Sequence, residues 1–173
     1  MVNDDIVIIV DGYNYLYSIE KNRINKMELE QLRNRLIEDL NQLAKYKDWQ
    51  VTVVFDSLKG NGILHKNMKV NLVEVLFTKK GQSADDLAES LVYKNKGKKI
   101  FVVTSDYTHQ RITFGSGAFR MTTKQLKNDL DQLKKEIRDR TAFSSKLNIP
   151  ISKRIDQKIA KELERLRKGK VEV

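Results

Sequence analysis

The stretch Ile6-Val7-Ile8-Ile9-Val10-Asp11-Gly12-Tyr13-Asn14 sets an unbroken β-branched run directly before a polar turn. Such a run is typical of a strand buried on both faces of a parallel sheet. Further short apolar runs alternate with patterns of helical period, which predicts crossover helices between parallel strands. The predicted strands are Ile6–Val10, Val51–Phe55, Leu72–Phe77, Ile100–Thr104 and a short one at Ala118–Met121.

Capping motifs mark the predicted helices. Asn25 with Glu28, and Thr122 with Gln125, have the spacing of a capping box, and Ser83 begins a helix that reaches about Asn95. A short helix is predicted at about 108–114. The order of elements predicts an α/β fold, a Rossmann-like three-layer sandwich with a mainly parallel sheet, over residues 1–140. A linker and a basic C-terminal helix are predicted over residues 141–173.

The composition points to a polyanionic partner. The 173 residues carry a formal net charge of +10, and residues 141–173 hold nine Lys and Arg against four Asp and Glu. A basic balance favours nucleic acid through counterion release. Cysteine is absent, which excludes a disulfide framework and thiolate sites. The sequence has neither a signal-peptide core nor an apolar run long enough to span a bilayer, so we expect a cytoplasmic chain without a membrane partner.

Aspartates follow three of the predicted strands. Asp11 comes after the first strand, Asp56 after the second, and Asp106 closely follows the strand that ends at Thr104. Asp85 lies in the first turn of the helix that Ser83 begins. Parallel strands end at one edge of the sheet, where ligands bind in open α/β folds, so we expect these carboxylates to converge.

Clustered carboxylates repel one another unless a cation is bound among them. Oxygen ligands of this kind suit Mg²⁺ or Mn²⁺, and a metal held by carboxylates supports phosphodiester hydrolysis. Each aspartate also has an ordinary structural explanation, as a turn residue or as a favourable charge at a helix N-terminus. Their coincidence on one edge favours the metal site.

Other enzyme classes fit the sequence less well. His65 and His109 are the only histidines and neither is placed to activate a serine, and no glycine-rich phosphate loop is present. Haloacid-dehalogenase-type phosphatases require an aspartate two residues after the first, where this chain has Tyr13. Phospho-receivers require an acidic pair after the first strand, which is also missing.

The same blocks resemble the YacP-like NYN-domain proteins of the PIN-like nuclease superfamily, from about Ile6 to Arg140. The resemblance is carried by these segments: Ile8–Asn14, Val53–Asp56, Val75–Thr78 with Ser83-Ala84-Asp85, Val103–Asp106 and Phe114–Met121. The best-studied bacterial members look like ribosome-associated endonucleases that cut messenger RNA within the ribosomal A site, and the resemblance implies a similar activity here. The resemblance implies that Asp11, Asp85 and Asp106 bind the metal, with Asp56 nearby and Asn14 in support.

An acidic centre that cleaves RNA needs positive charge and stacking surfaces around it. Tyr13 is the tyrosine nearest to Asp11, so we expect it to stack on a base. The candidate cationic contacts are Lys59, Lys66, Lys69, Lys79, Lys80, Arg111 and Arg120. The lysines at positions 94, 96, 98 and 99 and the basic C-terminal helix lie away from the aspartates and are candidates for contacts with ribosomal RNA.

The predicted function is therefore a metal-dependent endoribonuclease, a monomer that cleaves messenger RNA in association with the ribosome. The alternative is a non-catalytic RNA- or ribosome-binding module of the same fold. A pure binder gains nothing from a carboxylate cluster beside a polyanion, which favours the enzyme.

Overall fold

The short apolar runs form the strands of one six-stranded sheet in the computed structural model, which describes residues 6–20, 25–57, 67–105 and 117–147. The strands are β1 (Ile6–Asp11), β2 (Gln50–Phe55), β3 (Met68–Val70), β4 (Val73–Phe77), β5 (Lys99–Val103) and β6 (Phe119–Met121). Their spatial order is β3-β4-β2-β1-β5-β6. All neighbouring strands are parallel except β3 and β4.

Four helices are described: α1 (Gly12–Ile19), α2 (Lys26–Lys47), α3 (Ala84–Lys94) and α4 (Thr123–Leu147). The predicted caps are confirmed. Asn25 and Glu28 exchange both bonds of a capping box, and so do Ser83 and Asp86. At the start of α4, the Thr122 backbone N–H donates to Gln125 Oε1 at 2.8 Å and the Gln125 N–H donates to Thr122 Oγ1 at 3.1 Å.

Side chains alternate between the two faces of the sheet. Ile9 of β1 and Val54 of β2 pack in one cluster with Leu91 of α3. Phe55, which points to the opposite face, contacts the ring of Tyr13 from α1. Ile8, Ile9 and Val10 are fully buried, as expected for a central strand covered on both faces. The chain therefore has the predicted three-layer α/β sandwich with a mainly parallel sheet.

Strand β3 was not among the strands predicted from the sequence. Asn71 adopts a left-handed backbone conformation with φ of 54°, which allows a tight turn between β3 and β4. Lys69 therefore lies on an antiparallel edge strand paired with Glu74. The chain also has two helices between β1 and β2, where the sequence indicated one.

Contacts within the chain divide it into two units, residues 1–132 and residues 133–173. Helix α4 continues to Leu147, so residues 141–147, predicted as part of a linker, are helical. Ile137 of this helix is 37% exposed, whereas Leu126, Leu130 and Leu133 are buried. The short helix at 108–114 and the basic C-terminal helix fall outside the described residues. No helix in the described ranges is both long enough and apolar enough to cross a membrane.

Candidate active site

Asp11 lies at the point where the connections of the sheet reverse direction. Strand β1 is central, with β2 on one side and β5 on the other. The chain fills the β2 and β4 side first and crosses to β5 only after α3. Ligands of open parallel sheets bind at such a switch point, beyond the carboxyl ends of the strands. Asp11 is the last residue of β1 and the N-cap of α1, and its Oδ1 accepts from the Asn14 N–H at 3.1 Å.

Asn14 joins the ends of β1 and β5. Its side-chain Oδ1 accepts from the Ser105 backbone N–H at 2.8 Å and from Ser105 Oγ at 2.9 Å. Since the backbone N–H of Asn14 donates to Asp11, one residue contacts both segments. Ser105 immediately precedes Asp106, which lies outside the described residues. The backbone that leads into Asp106 is thus held next to Asp11.

Asp56 lies where the pairing of β2 and β4 continues past the strands. The Thr78 N–H donates to Phe55 O at 3.0 Å, and the Ser57 N–H donates to Thr78 Oγ1 at 3.0 Å. Ser57 Oγ also donates to the Thr78 carbonyl oxygen. Asp56 is therefore held between two residues that are bonded to the neighbouring strand, one position beyond the end of β2.

Asp85 is brought to the same edge by the packing of α3. Ala84 at the start of the helix is 6% exposed and belongs to the cluster that contains Ile9 and Val54. Asp86 is engaged in the cap instead: its Oδ2 accepts from Ser83 N at 3.0 Å and from Ser83 Oγ at 2.7 Å, and the hydroxyl bond lowers the pKa of Asp86. Of the two adjacent aspartates, the half-buried Asp85 is the better candidate for a ligand.

A glycine is required at position 12 because the backbone there lies close to the ring of Phe55. A Cβ at this position would lie 2.2 Å from Phe55 Cε1. Tyr13 follows, with its ring centroid 5.0 Å from that of Phe55 and only 1% of its surface exposed. The prediction that Tyr13 stacks on an RNA base is wrong, because its ring belongs to the core. Tyr15 is buried too, whereas Tyr17 is 48% exposed and offers the accessible ring on α1.

Arg33 is a residue of this edge that the sequence analysis missed. Its side chain is 12% exposed, its Cζ lies 5.8 Å from the ring centroid of Phe77 at the end of β4, and it pairs with Glu30 at 3.6 Å. Burial raises the pKa of Tyr13, and a hydrogen bond with Arg33 opposes that rise. The signal was present in the sequence: Arg33 interrupts the buried stripe of Leu29, Leu36 and Leu40 on α2.

The predicted cationic contacts separate into three groups. Lys79 and Lys80 are exposed in the loop after β4, on the same edge as the aspartates, and Arg120 is half-buried on β6. Lys69 lines a groove with Gln50 and Lys94, at the edge where the parallel strands begin. The prediction that Lys69 lies beside the aspartates is therefore wrong. The predictions for Lys59, Lys66 and Arg111 fall outside the described residues.

The donors at this edge are carboxylate oxygens, the ligand type that Mg²⁺ and Mn²⁺ prefer. Asp11 and Asp85 fit this chemistry and stand at helix N-termini, where negative charge is favourable. Within the described ranges, no three acidic, histidine or cysteine side chains are grouped closely enough to hold an ion. The third predicted ligand, Asp106, is not among the described residues.

Comparison with known proteins finds one family and its solved structures. The model of the YacP-like NYN domain matches residues 8–168, beyond the expected end near Arg140. The uncharacterized protein YacP of Bacillus subtilis is 32% identical over 168 residues, which cover 94% of this chain and 97% of that protein.

Two crystal structures of Rae1 (YacP) from Bacillus subtilis have the same fold at 30% identity. One superposes with a TM-score of 0.72 and covers 94% of this chain and 95% of its own. The other, a mutant of that protein in which leucine replaces one tryptophan, has a TM-score of 0.66 and covers 80% and 82%. These matches support a nuclease-type, RNA-related role.

Proposed function

The chain belongs to the YacP-like NYN domain family, and from this premise we propose that it is a metal-dependent endoribonuclease that hydrolyses RNA phosphodiester bonds. The proposal includes messenger RNA as substrate and association with the ribosome, both implied by the resemblance, together with a cytoplasmic location and a monomeric state. Domain 1–140 would carry the catalysis, with residues 141–173 as an extension.

The observation that carries the proposal is the pair of bonds from Ser105 to Asn14. They join the carboxyl ends of β1 and β5 at the switch point, so that Asp11 and the residue before Asp106 lie side by side. Asn14 is a neutral acceptor here, which avoids adding a further charge among the carboxylates.

Asp11, Asp85 and Asp106 would hold the ion, with Asp56 close to them. A bound Mg²⁺ or Mn²⁺ supplies an activated water and neutralises charge that develops on the phosphate. The protein's own part is to hold the oxygen donors in place: Asn14 fixes two strand ends, and the Ser83 cap fixes the first turn of α3.

RNA must approach an edge that carries several negative charges. Lys79 and Lys80 are exposed next to α3 and offer compensating positive charge. The N-termini of α1 and α3 lie at this edge, and the positive end of a helix dipole favours phosphate. Tyr17 takes over the stacking role first expected of Tyr13, because its ring is accessible.

The test compares two neighbouring aspartates that differ in their local bonds. Labelled RNA is incubated with the wild type, Asp85→Asn and Asp86→Asn, in Mg²⁺, in Mn²⁺ and in EDTA. We expect Asp85→Asn to lose cleavage by at least about 100-fold, whereas Asp86→Asn, the matched control in the capping box, stays close to wild type. Asp106→Asn is expected to behave like Asp85→Asn.

Two results would contradict the proposal. Equal cleavage by the wild type and Asp85→Asn would remove the assigned centre. RNA binding without cleavage, on naked RNA and on a message under translation, would favour the non-catalytic binding module. Cleavage of the translated message alone would support the ribosome as part of the substrate.

A further inference from the structure

The turn between α3 and β5 concentrates positive charge at the edge opposite Asp11. This lysine turn, defined as Lys94, Lys96, Lys98 and Lys99, places four lysines within six residues, and no Asp or Glu occurs from Ser90 to Ser105. Three of the four are exposed and Lys98 is half-buried. No carboxylate in the described ranges forms an ion pair with any of them. Their charge is therefore available to a partner.

The lysine turn is held in one conformation by its own hydrogen bonds. Asn95 Nδ2 donates to Leu91 O at 2.8 Å, and the Lys98 N–H donates to Asn95 O at 3.1 Å. Gly97 has a φ of 94°, which a residue with a Cβ rarely adopts. Lys98 Nζ donates to Gln50 Oε1 at 3.0 Å and so ties the turn to β2. A turn whose backbone is already fixed loses less conformational entropy when its lysines bind phosphate.

Aromatic rings accompany the lysines. Tyr93 is 71% exposed, and Lys96 Nζ lies 4.6 Å from its ring centroid. Lys47 Nζ lies 5.8 Å from the ring of Trp49, and Trp49 lines the same groove of about 700 Å³ as Lys94. Lysines interleaved with accessible rings are the combination that grips single-stranded nucleic acid, because phosphates pair with the cations and bases stack on the rings.

A simpler explanation covers only part of this surface. Lysine near the C-terminus of a helix complements the helix dipole, which accounts for Lys94 on α3. It does not account for Lys98 and Lys99, which lie past the helix, or for the exposure of Tyr93. The groove itself also contains Asp48 and Glu74, so phosphate is expected on the lysine turn at its rim.

We propose that the lysine turn and Tyr93 form a second RNA-binding surface, which holds a single-stranded RNA segment at the edge of the sheet opposite the aspartates. It rests on the proposed function in one respect, that RNA is the partner. It adds a contact that contributes to affinity without taking part in hydrolysis.

The test measures binding of a labelled, unstructured RNA to the full chain in EDTA, so that cleavage plays no part. The variant replaces Lys94, Lys96, Lys98 and Lys99 by Gln. The control replaces four lysines of α4 by Gln and has the same net charge: Lys124, Lys127, Lys134 and Lys135. We expect the lysine-turn variant to bind at least about tenfold more weakly, with a salt dependence shallower by roughly 0.7 per lost phosphate contact. The α4 control should keep most of the affinity.

Substitutions of Tyr93 distinguish RNA from polyanions that have no bases. Tyr93→Ala should weaken RNA binding by about fivefold or more, whereas Tyr93→Phe keeps the ring and the affinity. The affinity for inorganic polyphosphate, which has no bases, should be unaffected by Tyr93→Ala. Binding to vesicles with anionic lipid, measured alongside, should be weaker than binding to RNA.

The proposal is overturned if the lysine-turn variant binds RNA like the wild type, or if the α4 control loses as much. Equal sensitivity of polyphosphate and RNA to Tyr93→Ala, or tighter binding to vesicles, would also overturn it. These outcomes are independent of cleavage: a wild type that cleaves neither naked RNA nor a translated message in Mg²⁺ and Mn²⁺ would refute the nuclease and leave this comparison intact.

Discussion

The two edges of the sheet differ in charge and in the bonds that hold them. The edge where the parallel strands end contains Asp11 and Asp56, and polar side chains such as Asn14 cross-link its loops. The edge where they begin contains the lysine turn, whose cations have no carboxylate partner in the described ranges. The difference indicates that the first edge holds its side chains in fixed positions, whereas the second offers cations to a binding partner.

The largest expected effect separates chemistry from affinity. Asp11→Asn should lower RNA cleavage by at least about 100-fold, while RNA affinity stays the same or rises because a negative charge is lost. The lysine-turn variant should bind RNA more weakly, but should cleave at the wild-type rate once RNA is saturating. Paired measurements of Kd and of the single-turnover cleavage rate check both. If one variant lowered both quantities equally, the division of roles between the edges would be wrong.

A second effect concerns the stability of the acidic edge. Gly12→Ala places a methyl group 2.2 Å from the Phe55 ring, and we expect it to lower the free energy of unfolding by about 2 to 3 kcal/mol. Urea denaturation measures the change. The double variant with Phe55→Leu should be less destabilised than the sum of its single variants, since the smaller side chain makes room. Simple additivity would show that the ring contact is not the cause.

The next effect concerns the link between β1 and β5. Asn14→Ala removes an acceptor of two hydrogen bonds from Ser105, and we expect a loss of about 2 kcal/mol. Asn14→Asp, the isosteric control, keeps an acceptor but adds charge beside Asp11. It should preserve more stability than Asn14→Ala in chemical denaturation. A larger loss for Asn14→Asp would mean that charge repulsion dominates at this site.

The cap of α3 predicts a smaller, pH-dependent effect. Ser83→Ala should cost about 1 kcal/mol at neutral pH. Because the pKa of Asp86 is lowered from its ordinary 3.8, its contribution is present above that value and is lost as the pH falls through the folded pKa. Denaturation of the wild type and Asp86→Asn at pH 7 and in strong acid tests this. A difference that grew toward low pH would contradict it.

The smallest expected effect lies at the basic edge. Lys98→Gln removes one bond to Gln50, and the expected change in unfolding free energy is only about 0.5 kcal/mol. Equilibrium denaturation of this variant, compared with Asn14→Ala, contrasts the two edges directly. A loss comparable to that of Asn14→Ala would show that the lysine turn also stabilises the fold.

The sequence predicted the central strands of the sheet better than the outer strand β3. The central strands were identified because β-branched runs such as Ile6–Val10 form strands buried on both faces, and the capping pairs placed the helix starts to within a residue. Strand β3 was missed because three exposed or half-buried residues carry no periodicity and its register depends on the backbone of Asn71.

For the candidate site, the sequence indicated which residues lie on the edge but not their contacts. Asp11, Asp56 and Asp85 follow from strand and helix positions alone. Tyr13 was assigned to RNA because it is next to Asp11, whereas packing on Phe55 decides its burial. Arg33 was missed because it is far from Asp11 in sequence, and only the packing of α2 brings it to Phe77.

Helix α3 begins beside Ser83 and ends at Lys94, so it connects the acidic edge to the basic one. Its eleven residues span roughly 16 Å, which makes it a fixed spacer between the aspartates and the lysine turn. A single RNA strand that touched both would have to cross this distance along the face of the sheet. The minimum length of substrate that gains affinity from both contacts is therefore set by the length of one helix.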